Sequence, residues 1–372
     1  MLDAKKIIVE TALAMGFENA VVAGLEPMQA ERQIYEAWLN NGYAASMHYL
    51  KRDPSGRNNP RLLCPEAYSA VLLFASYYTE VPPDPGPEYG KVARYAVGRD
   101  YHLVLPQKLT ELKARIEEKL QRPLLGKYFT DDVKLFEQGL ASRHGLGFIG
   151  KNSLLIGPRL SGSYHFVAEF FTDLALEPDL PYEGTCGQCF RCGDICPTAA
   201  IVSAKTVDAN LCISFLTIEN KADIPLSLRE KLGSWLFGCD LCQEVCPYNQ
   251  RPPQTRWLEF QPESGVGHYL NLFDILRIED KKHFLSLFGE TPLSRPKRKG
   301  LIRNALVVLG NRQPPHGPTH LCDFIDRESD PLLIEHAVWA LARFENGKKL
   351  LHKSYERCRH DELKTLFEPY LS

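Results

Sequence analysis

Apolar and polar residues follow patterns along the chain that predict alternating helices and strands. Apolar positions recur at helical spacing between residues 5 and 15 and again between residues 28 and 39. A continuous apolar run at residues 69–79, rich in Val, Phe and Tyr, predicts a buried strand. The sequence VPPDPGPEYG at 81–90 predicts an exposed loop, because its prolines and glycines suit neither a helix nor a central strand. We therefore expect residues 1–80 to fold as helix, helix and strand.

The same alternation continues after this loop. Helical patterns cover residues 105–120 and 133–144, and strand patterns lie near 153–156 and 165–174. Helices that alternate with strands indicate an α/β or α+β domain, which should end near residue 177.

The rest of the chain divides into a cysteine-rich segment bounded by prolines and a helical part. Within the helical part, residues 303–311 and 330–344 resemble the paired helices of HEAT repeats, at a spacing near the roughly 40-residue period of such repeats. The predicted domains are residues 1–177, 178–252 and 253–372.

Composition and charge narrow the class of protein. Of the 372 residues, 44% are hydrophobic and 24% are charged, which is typical of a globular protein. The formal net charge of -2 means that nucleic acid would have to bind to a local basic surface. The chain has no apolar stretch of about 18 residues or more and no secretion leader, so we expect no membrane segment and a cytoplasmic location.

Eleven cysteines are present, and seven of them lie in two tight runs, which favours metal binding over disulfides. The first run is Cys186-x2-Cys189-x2-Cys192-x3-Cys196-Pro, the bacterial ferredoxin pattern, in which three thiolates bind one 4Fe-4S cluster and the fourth binds a neighbouring cluster. A zinc site would instead use two separated cysteine pairs. The run therefore predicts iron–sulfur clusters.

The second run, Cys239-x2-Cys242-x3-Cys246-Pro, lacks a first cysteine, and Cys212 between the runs can supply it. Eight thiolates then complete two 4Fe-4S clusters. The crossover rule assigns Cys186, Cys189, Cys192 and Cys246 to one cluster and Cys196, Cys212, Cys239 and Cys242 to the other. The isolated Cys64, Cys322 and Cys358 are expected to be small buried apolar residues.

Four motifs, taken together and in this order, resemble those of the epoxyqueuosine reductases. They are RYAVGRDYH at 94–102, GLGFIGKN at 145–152, the ferredoxin run, and GCDLCQEVCP at 238–247. The resemblance implies a nitroreductase-like α/β domain shared with reductive dehalogenases, and a cobalamin held between this domain and the cluster module. It also implies the last step of queuosine biosynthesis, in which the epoxide on the wobble base of tRNA is reduced to an alkene.

The resemblance places the catalytic carboxylate at Asp131, in the segment YFTDDV. Epoxide reduction needs a group that protonates the developing alkoxide, and burial beneath an apolar cofactor would keep a carboxylic acid protonated. An aspartate before an apolar helical run is also a natural N-cap. The neighbouring Asp132 stands where the family usually has a small residue, so either carboxylate of the pair could be the acid.

Cobalamin contacts follow from matching motif positions, although each residue could equally serve packing or capping. They are Arg57, Tyr95, Asp131, Leu155, Ser163, Ser214 and Thr217. The motif Asp-x-His-x-x-Gly does not occur, so we expect no axial histidine from the protein. Gly145-x-Gly147-x-x-Gly150 follows a predicted helix rather than a strand, and therefore predicts a tight turn that lets a large cofactor approach, not a dinucleotide site.

A dense basic segment near the C-terminal part is the expected tRNA contact. It contains Arg295, Lys297, Arg298, Lys299 and Arg303, which would bind phosphates, although a short charge run can also be only a solvated helix start. We further expect an external low-potential electron donor and a monomer. Two other functions compete: a cobalamin-dependent reductive dehalogenase-like enzyme that acts on a small molecule, and an electron carrier without catalysis.

Overall fold

The computed structural model describes residues 3–52, 56–158, 161–358 and 361–371. Contacts group these residues into two compact units. Unit 1 comprises the described residues within Met1–Glu80, Gly98–Asn210 and Asp240–Gly265, and unit 2 those within Val81–Val97, Leu211–Cys239 and Val266–Ser372. In the described part of the chain, no helix combines the length and the apolar character that crossing a bilayer requires.

The strands are short apart from two of eight residues each. They are β1 Asn19–Ala23, β2 Ser69–Ser76, β3 Tyr89–Val92, β4 Gly126–Phe129, β5 Phe148–Ile149, β6 Leu155–Ile156, β7 His165–Thr172, β8 Ile201–Ser203, β9 Thr206–Val207, β10 Trp235–Phe237 and β11 Tyr269–Asn271.

The helices are longest in the segments that precede β4 and follow β11. They are α1 Ala4–Ala14, α2 Gln29–Asn40, α3 Tyr101–Leu120, α4 Glu137–Arg143, α5 Arg191–Ile195, α6 Ile213–Ile218, α7 Leu226–Arg229, α8 Leu241–Glu244, α9 Leu272–Leu276, α10 Lys281–Phe288, α11 Lys297–Arg312, α12 Gly317–Arg327, α13 Pro331–Ala342, α14 Gly347–Arg357, α15 Asp361–Lys364 and α16 Glu368–Leu371.

Unit 1 is built around an antiparallel sheet with strand order β1-β2-β7-β4. Every residue of β2 is buried, because the strand lies inside the sheet and both faces are covered. Helices α1 and α3 pack together beside the sheet, and Leu140 and Ala141 of α4 join the apolar core that contains Leu72 of β2. In this register Glu169 of β7 lies opposite Phe129, the last residue of β4. The turn that contains the predicted acid therefore begins directly after the carboxyl end of β4.

Unit 2 combines a three-stranded sheet, order β10-β3-β11, with most of the C-terminal helices. Helix α11 is buried continuously from Gly300 to Gly310, since α9, α13 and β10 pack around it. Helices α12 and α14 contact each other and α13. The chain is thus mixed α/β with a helical C-terminal part, and the three predicted domain boundaries stay a prediction.

The structure differs from the predicted elements in several places. The strand β1 was not predicted, because its five residues directly follow the apolar pattern of α1. The helix predicted over 133–144 covers only Glu137–Arg143, since the preceding residues form turns and Asp131 has a left-handed φ of 52°. The region expected to be only a loop ends in β3, whose Gly90 packs closely against Leu236.

Candidate functional site

The cysteines that were assigned to the first cluster lie together in unit 1. Cys186, Cys189, Cys192 and Cys246 line one cavity. Lys151 borders the same cavity and donates its backbone N–H to Sγ of Cys186 at 3.5 Å. Burial raises the pKa of the Cys192 and Cys246 thiols, so an ionised sulfur there needs the positive charge that iron supplies. The cavity therefore suits a metal cluster held by thiolates.

The second set of cysteines is divided between the units. In unit 1, Cys196 follows α5 and Cys242 lies on α8, and these two helices pack together. In unit 2, Cys212 precedes α6 and Cys239 follows β10. The N–H of Gly238, next to Cys239, donates to Oγ1 of Thr217 on α6 at 2.9 Å. Each unit thus holds its own pair of these four cysteines in a fixed local arrangement.

The predicted acid lies in the turn that follows β4. The left-handed backbone of Asp131 is unusual for a residue with a side chain. Two groups hold it: Tyr101 Oη donates to Asp131 Oδ2 at 2.8 Å, and the Asp131 N–H donates to Glu137 Oε1 at 3.1 Å. The helix begins only at Glu137 and has Phe136 at its N-cap, so Asp131 is not an N-cap. Its exposed carboxylate therefore does not cap the helix and is accessible to a substrate.

Asp132, the other candidate acid, has a local structural role. Its Oδ1 accepts the N–H of Thr130 at 3.0 Å and so closes the turn. The side chain is exposed. The tyrosine and the backbone contact that orient Asp131 favour Asp131 over Asp132 as the acid.

Two glutamates that the sequence did not single out lie behind Asp131. Glu169 of β7 has no exposed surface, and neither carboxylate oxygen has a hydrogen-bond partner among the described residues. Burial first, and then the charges of Glu137, Asp131 and Asp132, raise its pKa well above the usual range. Burial and then Asp131 raise the pKa of Glu137 to about 8, against a smaller lowering by Arg57. The only signal in the sequence was one acidic residue inside the apolar run HFVAEFFT.

Tyr101 and His102 lie on the first turn of α3, where Asp100 caps the helix by accepting the N–H of His102 at 3.0 Å. The Tyr101 ring stacks on Phe166 of β7 with ring centroids 4.2 Å apart, which fixes the direction of its hydroxyl. The Nδ1 of His102 lies 2.9 Å from Asp100 Oδ1, and this bond raises the pKa of His102. The GRDYH motif thus supplies the residues that border the acid on the α3 side.

Among the predicted cobalamin contacts, Arg57 is the one with unused binding capacity. Its Nε is buried and has no hydrogen-bond partner in the described ranges, and its guanidinium lies 5.6 Å from the ring centroid of Tyr35. A planar cation held over a ring and left with a free donor suits a ligand that carries amide or phosphate oxygens. The structure therefore fits a cofactor with such groups at Arg57.

The side chains of three other predicted contacts already pack or form hydrogen bonds within the protein. Leu155 is buried in the core of unit 1. Ser163 Oγ accepts from Gln243 at 3.1 Å and from Asn249 at 2.9 Å. Thr217 is fully buried in unit 2, where its hydroxyl donates to Ile213 O at 2.8 Å.

Tyr95 and Ser214, the remaining two predicted contacts, are also in unit 2. The Tyr95 ring lies 6.0 Å from that of Phe237. Ser214 precedes Thr217 by less than one helical turn of α6, and its carbonyl accepts from the Thr217 hydroxyl at 3.3 Å. Within unit 2, α6, which carries Ser214, contacts β10, which carries Phe237, the ring neighbour of Tyr95.

The glycine motif after α4 packs on the protein itself. Gly145 has a φ of 83° and follows His144, the C-cap residue, so it lies one position beyond the predicted cap. A Cβ at Gly145 would lie 2.4 Å from the carbonyl oxygen of Leu180, and one at Gly147 2.4 Å from that of Ile156. The prediction of a tight turn is confirmed. Backbone of the same chain occupies the space that a Cβ would take at Gly145 and Gly147, and the prediction that these glycines let a large cofactor approach stays a prediction.

The predicted tRNA contacts divide into exposed and buried residues. Arg295 pairs with Glu219 at 2.7 Å, Arg298 with Glu328 at 3.6 Å and Lys299 with Asp330 at 2.7 Å, while Lys297 begins α11 and is exposed. Arg303 has no exposed surface, and its guanidinium donates to carbonyl oxygens of unit 2. The prediction that Arg303 binds a phosphate is therefore wrong, since a phosphate cannot reach it.

Comparisons with known proteins show which family the chain resembles. A family model described as "4Fe-4S double cluster binding domain" matches residues 185–249, and one described as "Epoxyqueuosine reductase QueG, DUF1730" matches residues 57–132. The epoxyqueuosine reductase of Leadbetterella byssophila is 37% identical over 310 residues, which are 83% of this chain and 99% of that protein.

Two solved structures extend the similarity over the whole fold. A crystal structure of epoxyqueuosine reductase with an epoxyqueuosine-modified tRNA-Tyr stem loop superposes with a TM-score of 0.88 at 28% identity, covering 99% of this chain and 97% of that one. The enzyme from Bacillus subtilis, with its catalytic aspartate loop swung out of the active site, gives a TM-score of 0.87 at 28% identity, with 99% and 98% covered. The chain belongs to the epoxyqueuosine reductase family.

Proposed function

We propose that Asp131 is the acid that protonates the epoxide oxygen when this oxidoreductase reduces epoxyqueuosine to queuosine at the wobble position of tRNA, the last step of queuosine biosynthesis. The chain carries out the reaction of its family and has the double 4Fe-4S domain for it. One observation carries the role of Asp131: its carboxylate is exposed and oriented by Tyr101, on a backbone that Glu137 holds in a left-handed turn. A loop with a catalytic aspartate in the Bacillus subtilis relative supports this role.

The reaction requires two electrons and two protons for each epoxide removed. The eight cysteines would hold the two clusters, which would supply electrons one at a time, and a cobalamin, the cofactor of this family, would supply a low-potential cobalt centre. Asp131 contributes a proton at its Oδ atoms, where the Tyr101 hydroxyl bond fixes the carboxyl orientation. Charge that develops on the departing oxygen is thus neutralised by a carboxyl group already in place.

Cobalamin is assigned to the surroundings of Arg57, Tyr95, Asp131, Leu155, Ser163, Ser214 and Thr217. Arg57 offers the direct polar contact, because its buried Nε lacks a partner among the described residues. Leu155, Ser163 and Thr217 are buried, so each contributes through the backbone that its side chain holds in place. No histidine is assigned to the cobalt.

At the level of the fold, we propose that unit 1 contains a nitroreductase-like sheet and that the C-terminal helices form HEAT-like pairs. The first pair is α11 with α12 and the second is α13 with α14, in chain order. The packing of α13 against α11, α12 and α14, and of α12 against α14, supports this description.

For tRNA, we propose that Arg295, Lys297, Arg298 and Lys299 bind backbone phosphates. Side chains of Arg295 and Lys299 are 57% and 47% exposed despite their carboxylate partners, so a phosphate can compete for them. A relative of known structure binds a modified tRNA stem loop, which supports tRNA as the partner. The chain is proposed to act as a cytoplasmic monomer with an external low-potential donor.

Anaerobic turnover of epoxyqueuosine-containing tRNA tests this function. Purified protein with both clusters intact is expected to form queuosine only when cobalamin and a strong reductant are added. A halogenated phenol serves as the competing substrate, because the rival dehalogenase-like activity would release halide from it. Halide release without queuosine formation would reject the proposed substrate, and queuosine formation without cobalamin would reject the proposed cofactor.

A further inference from the structure

We propose that Glu137 holds the second proton of the reaction and passes it to Asp131, with the buried carboxyl of Glu169 beneath it in the same acid cluster. The acid cluster consists of Asp131, Asp132, Glu137 and Glu169. Because the second proton passes through Asp131, the proposal rests on the role proposed above for that residue.

The need for a second proton follows from the balance of the reaction. Both carbon–oxygen bonds of the epoxide break, the two carbons become an alkene, and the oxygen leaves as water. Two electrons, which arrive through the clusters, and two protons complete this change. Asp131 can donate only one proton before it must be reprotonated. With substrate covering its exposed side, the second proton has to come from the protein behind it.

Glu137 is the group that lies directly behind Asp131. Its Oε1 accepts the backbone N–H of Asp131 at 3.1 Å, so the Glu137 carboxyl touches the Asp131 backbone and interacts electrostatically with the Asp131 carboxyl. Glu137 lies on the first turn of α4, whose later residues pack on the same apolar core as β2. This packing fixes the position of Glu137 even if the loop of Asp131 moves.

Glu169 provides independent evidence that the acid cluster holds protons. It lies on β7, opposite Phe129 and therefore close to the start of the Asp131 turn. Both of its carboxylate oxygens are buried without a hydrogen-bond partner in the described structure. A charged carboxylate is strongly disfavoured in such a place, so Glu169 carries a proton at neutral pH.

The charges that face Glu137 decide whether it also holds a proton. Burial and then the carboxyls of Asp131 and Asp132 favour its protonated form, whereas the hydrogen bond from the Asp131 N–H and the charge of Arg57 favour its ionised form. The pKa of Glu137 rises to about 8. On the α2 side, Glu31 is already paired with Arg143 at 2.5 Å. On the α3 side, His102 is bonded to Asp100. Glu137 is therefore protonated at neutral pH and loses its proton in the mildly alkaline range.

A purely structural role for Glu137 gives a different result on substitution. Glu137→Gln keeps an oxygen that accepts the Asp131 N–H, so the turn is retained while the transferable proton is lost. If Glu137 only positions the turn, this variant should react at the wild-type rate. If it supplies a proton, the rate should fall about 100-fold, within the usual contribution of a general acid.

The experiment measures single-turnover rates of the cluster- and cobalamin-loaded enzyme on epoxyqueuosine-containing tRNA at pH values on both sides of about 8. The variants are Glu137→Gln, Asp131→Asn and, as a matched control, Glu18→Gln. Glu18 is another carboxyl whose burial raises its pKa, to about 7, and it accepts the N–H of Ser76, which is not part of the acid cluster. Iron content and circular dichroism of each variant establish that it is folded and loaded.

We expect the wild-type rate to fall as the pH rises through about 8, and this dependence to disappear in Glu137→Gln while it persists in Glu18→Gln. A second readout needs no turnover. The infrared difference spectrum between wild-type and Glu137→Gln holoenzyme should show a protonated carboxyl band that titrates near pH 8. The difference spectrum for Glu169→Gln should show such a band at neutral pH.

The outcomes separate the two proposals. If the wild type forms no queuosine, or if Asp131→Asn is as fast as the wild type, the proposed function of Asp131 fails and the proton store fails with it. If Asp131→Asn is inactive but Glu137→Gln keeps the wild-type rate and pH dependence, Asp131 stands and the role of Glu137 is overturned. Absence of the Glu137 carboxyl band at neutral pH would overturn it as well.

Discussion

Replacing Arg303 by methionine should destabilise unit 2 while leaving tRNA binding intact. The guanidinium donates to Asn220 O at 2.8 Å, to Ala222 O at 2.6 Å and to Leu216 O at 2.7 Å. Burial lowers the pKa of Arg303 to about 10, which still leaves it charged at neutral pH. Methionine fills a similar volume but leaves the carbonyl oxygens of Asn220 and Leu216 buried and unpaired. The expected loss of unfolding free energy is about 3–5 kcal/mol, because each buried acceptor left without a donor costs about 1–3 kcal/mol.

Thermal unfolding followed by circular dichroism measures this effect. A loss of that size corresponds to a decrease in Tm of about 10 °C or more for a unit of this size. Lys299→Met is the matched comparison, because its ion pair with Asp330 is half exposed and contributes about 1 kcal/mol or less. At a temperature where both variants are folded, tRNA affinity should fall for Lys299→Met and stay unchanged for Arg303→Met. A wild-type Tm for Arg303→Met, or a selective loss of its tRNA affinity, would refute the reasoning.

Three further predictions concern the acid cluster and the iron–sulfur clusters. Tyr101→Phe removes the hydroxyl that donates to Asp131 at 2.8 Å and should lower kcat about tenfold with little change in KM, measured by steady-state turnover; an unchanged kcat would show that the orientation is not needed. The pKa of Glu137 is raised from 4.5 to about 8, so folding takes up a proton between these pH values, and the contribution of Glu137 to stability is lost as the pH rises through that window. Urea unfolding should show this loss in the wild type but not in Glu137→Gln. An equal pH dependence of the two proteins would contradict the prediction. Cys212→Ala should leave about half of the roughly eight irons, measured by iron analysis of anaerobic protein, whereas full iron content would exclude Cys212 as a ligand.

The cluster ligands could be predicted from the sequence because their spacing is local. Cys186, Cys189 and Cys192 lie within seven residues, and the structure places them around one cavity with Cys246. The assignment of Cys246 required the crossover rule of ferredoxins, which is itself a spacing rule. A ligand prediction from cysteine spacing does not depend on whether the helices and strands are predicted correctly.

The acid cluster could be predicted only in part. Asp131 lies in a recognisable motif, but Glu137 and Glu169 come together with it through the register of β7 against β4 and the packing of α4. These are contacts between segments more than thirty residues apart, and no periodicity encodes them. The late start of α4 has a local cause, the left-handed turn at Asp131, which the apolar spacing at 133–144 does not show.

Arg303 shows how a charge pattern can mislead. It follows several exposed basic residues, and basic runs are usually solvated. Helix α11, however, is surrounded on all sides by other elements of unit 2 from Gly300 onward, so Arg303 is buried although Lys299, one turn earlier on the same face, is exposed. Only the tertiary packing distinguishes a buried guanidinium from the exposed Lys299 four residues earlier.

The central claim is that Asp131 protonates the epoxide oxygen, and nucleoside mass spectrometry tests it most directly. Epoxyqueuosine-containing tRNA is incubated anaerobically with wild-type enzyme, with Asp131→Asn and with Asp132→Asn, each with the same iron content and cobalamin loading. The account predicts queuosine from the wild type and from Asp132→Asn. It predicts that the rate of Asp131→Asn is reduced at least about 100-fold. Queuosine formed by Asp131→Asn at the wild-type rate would contradict it.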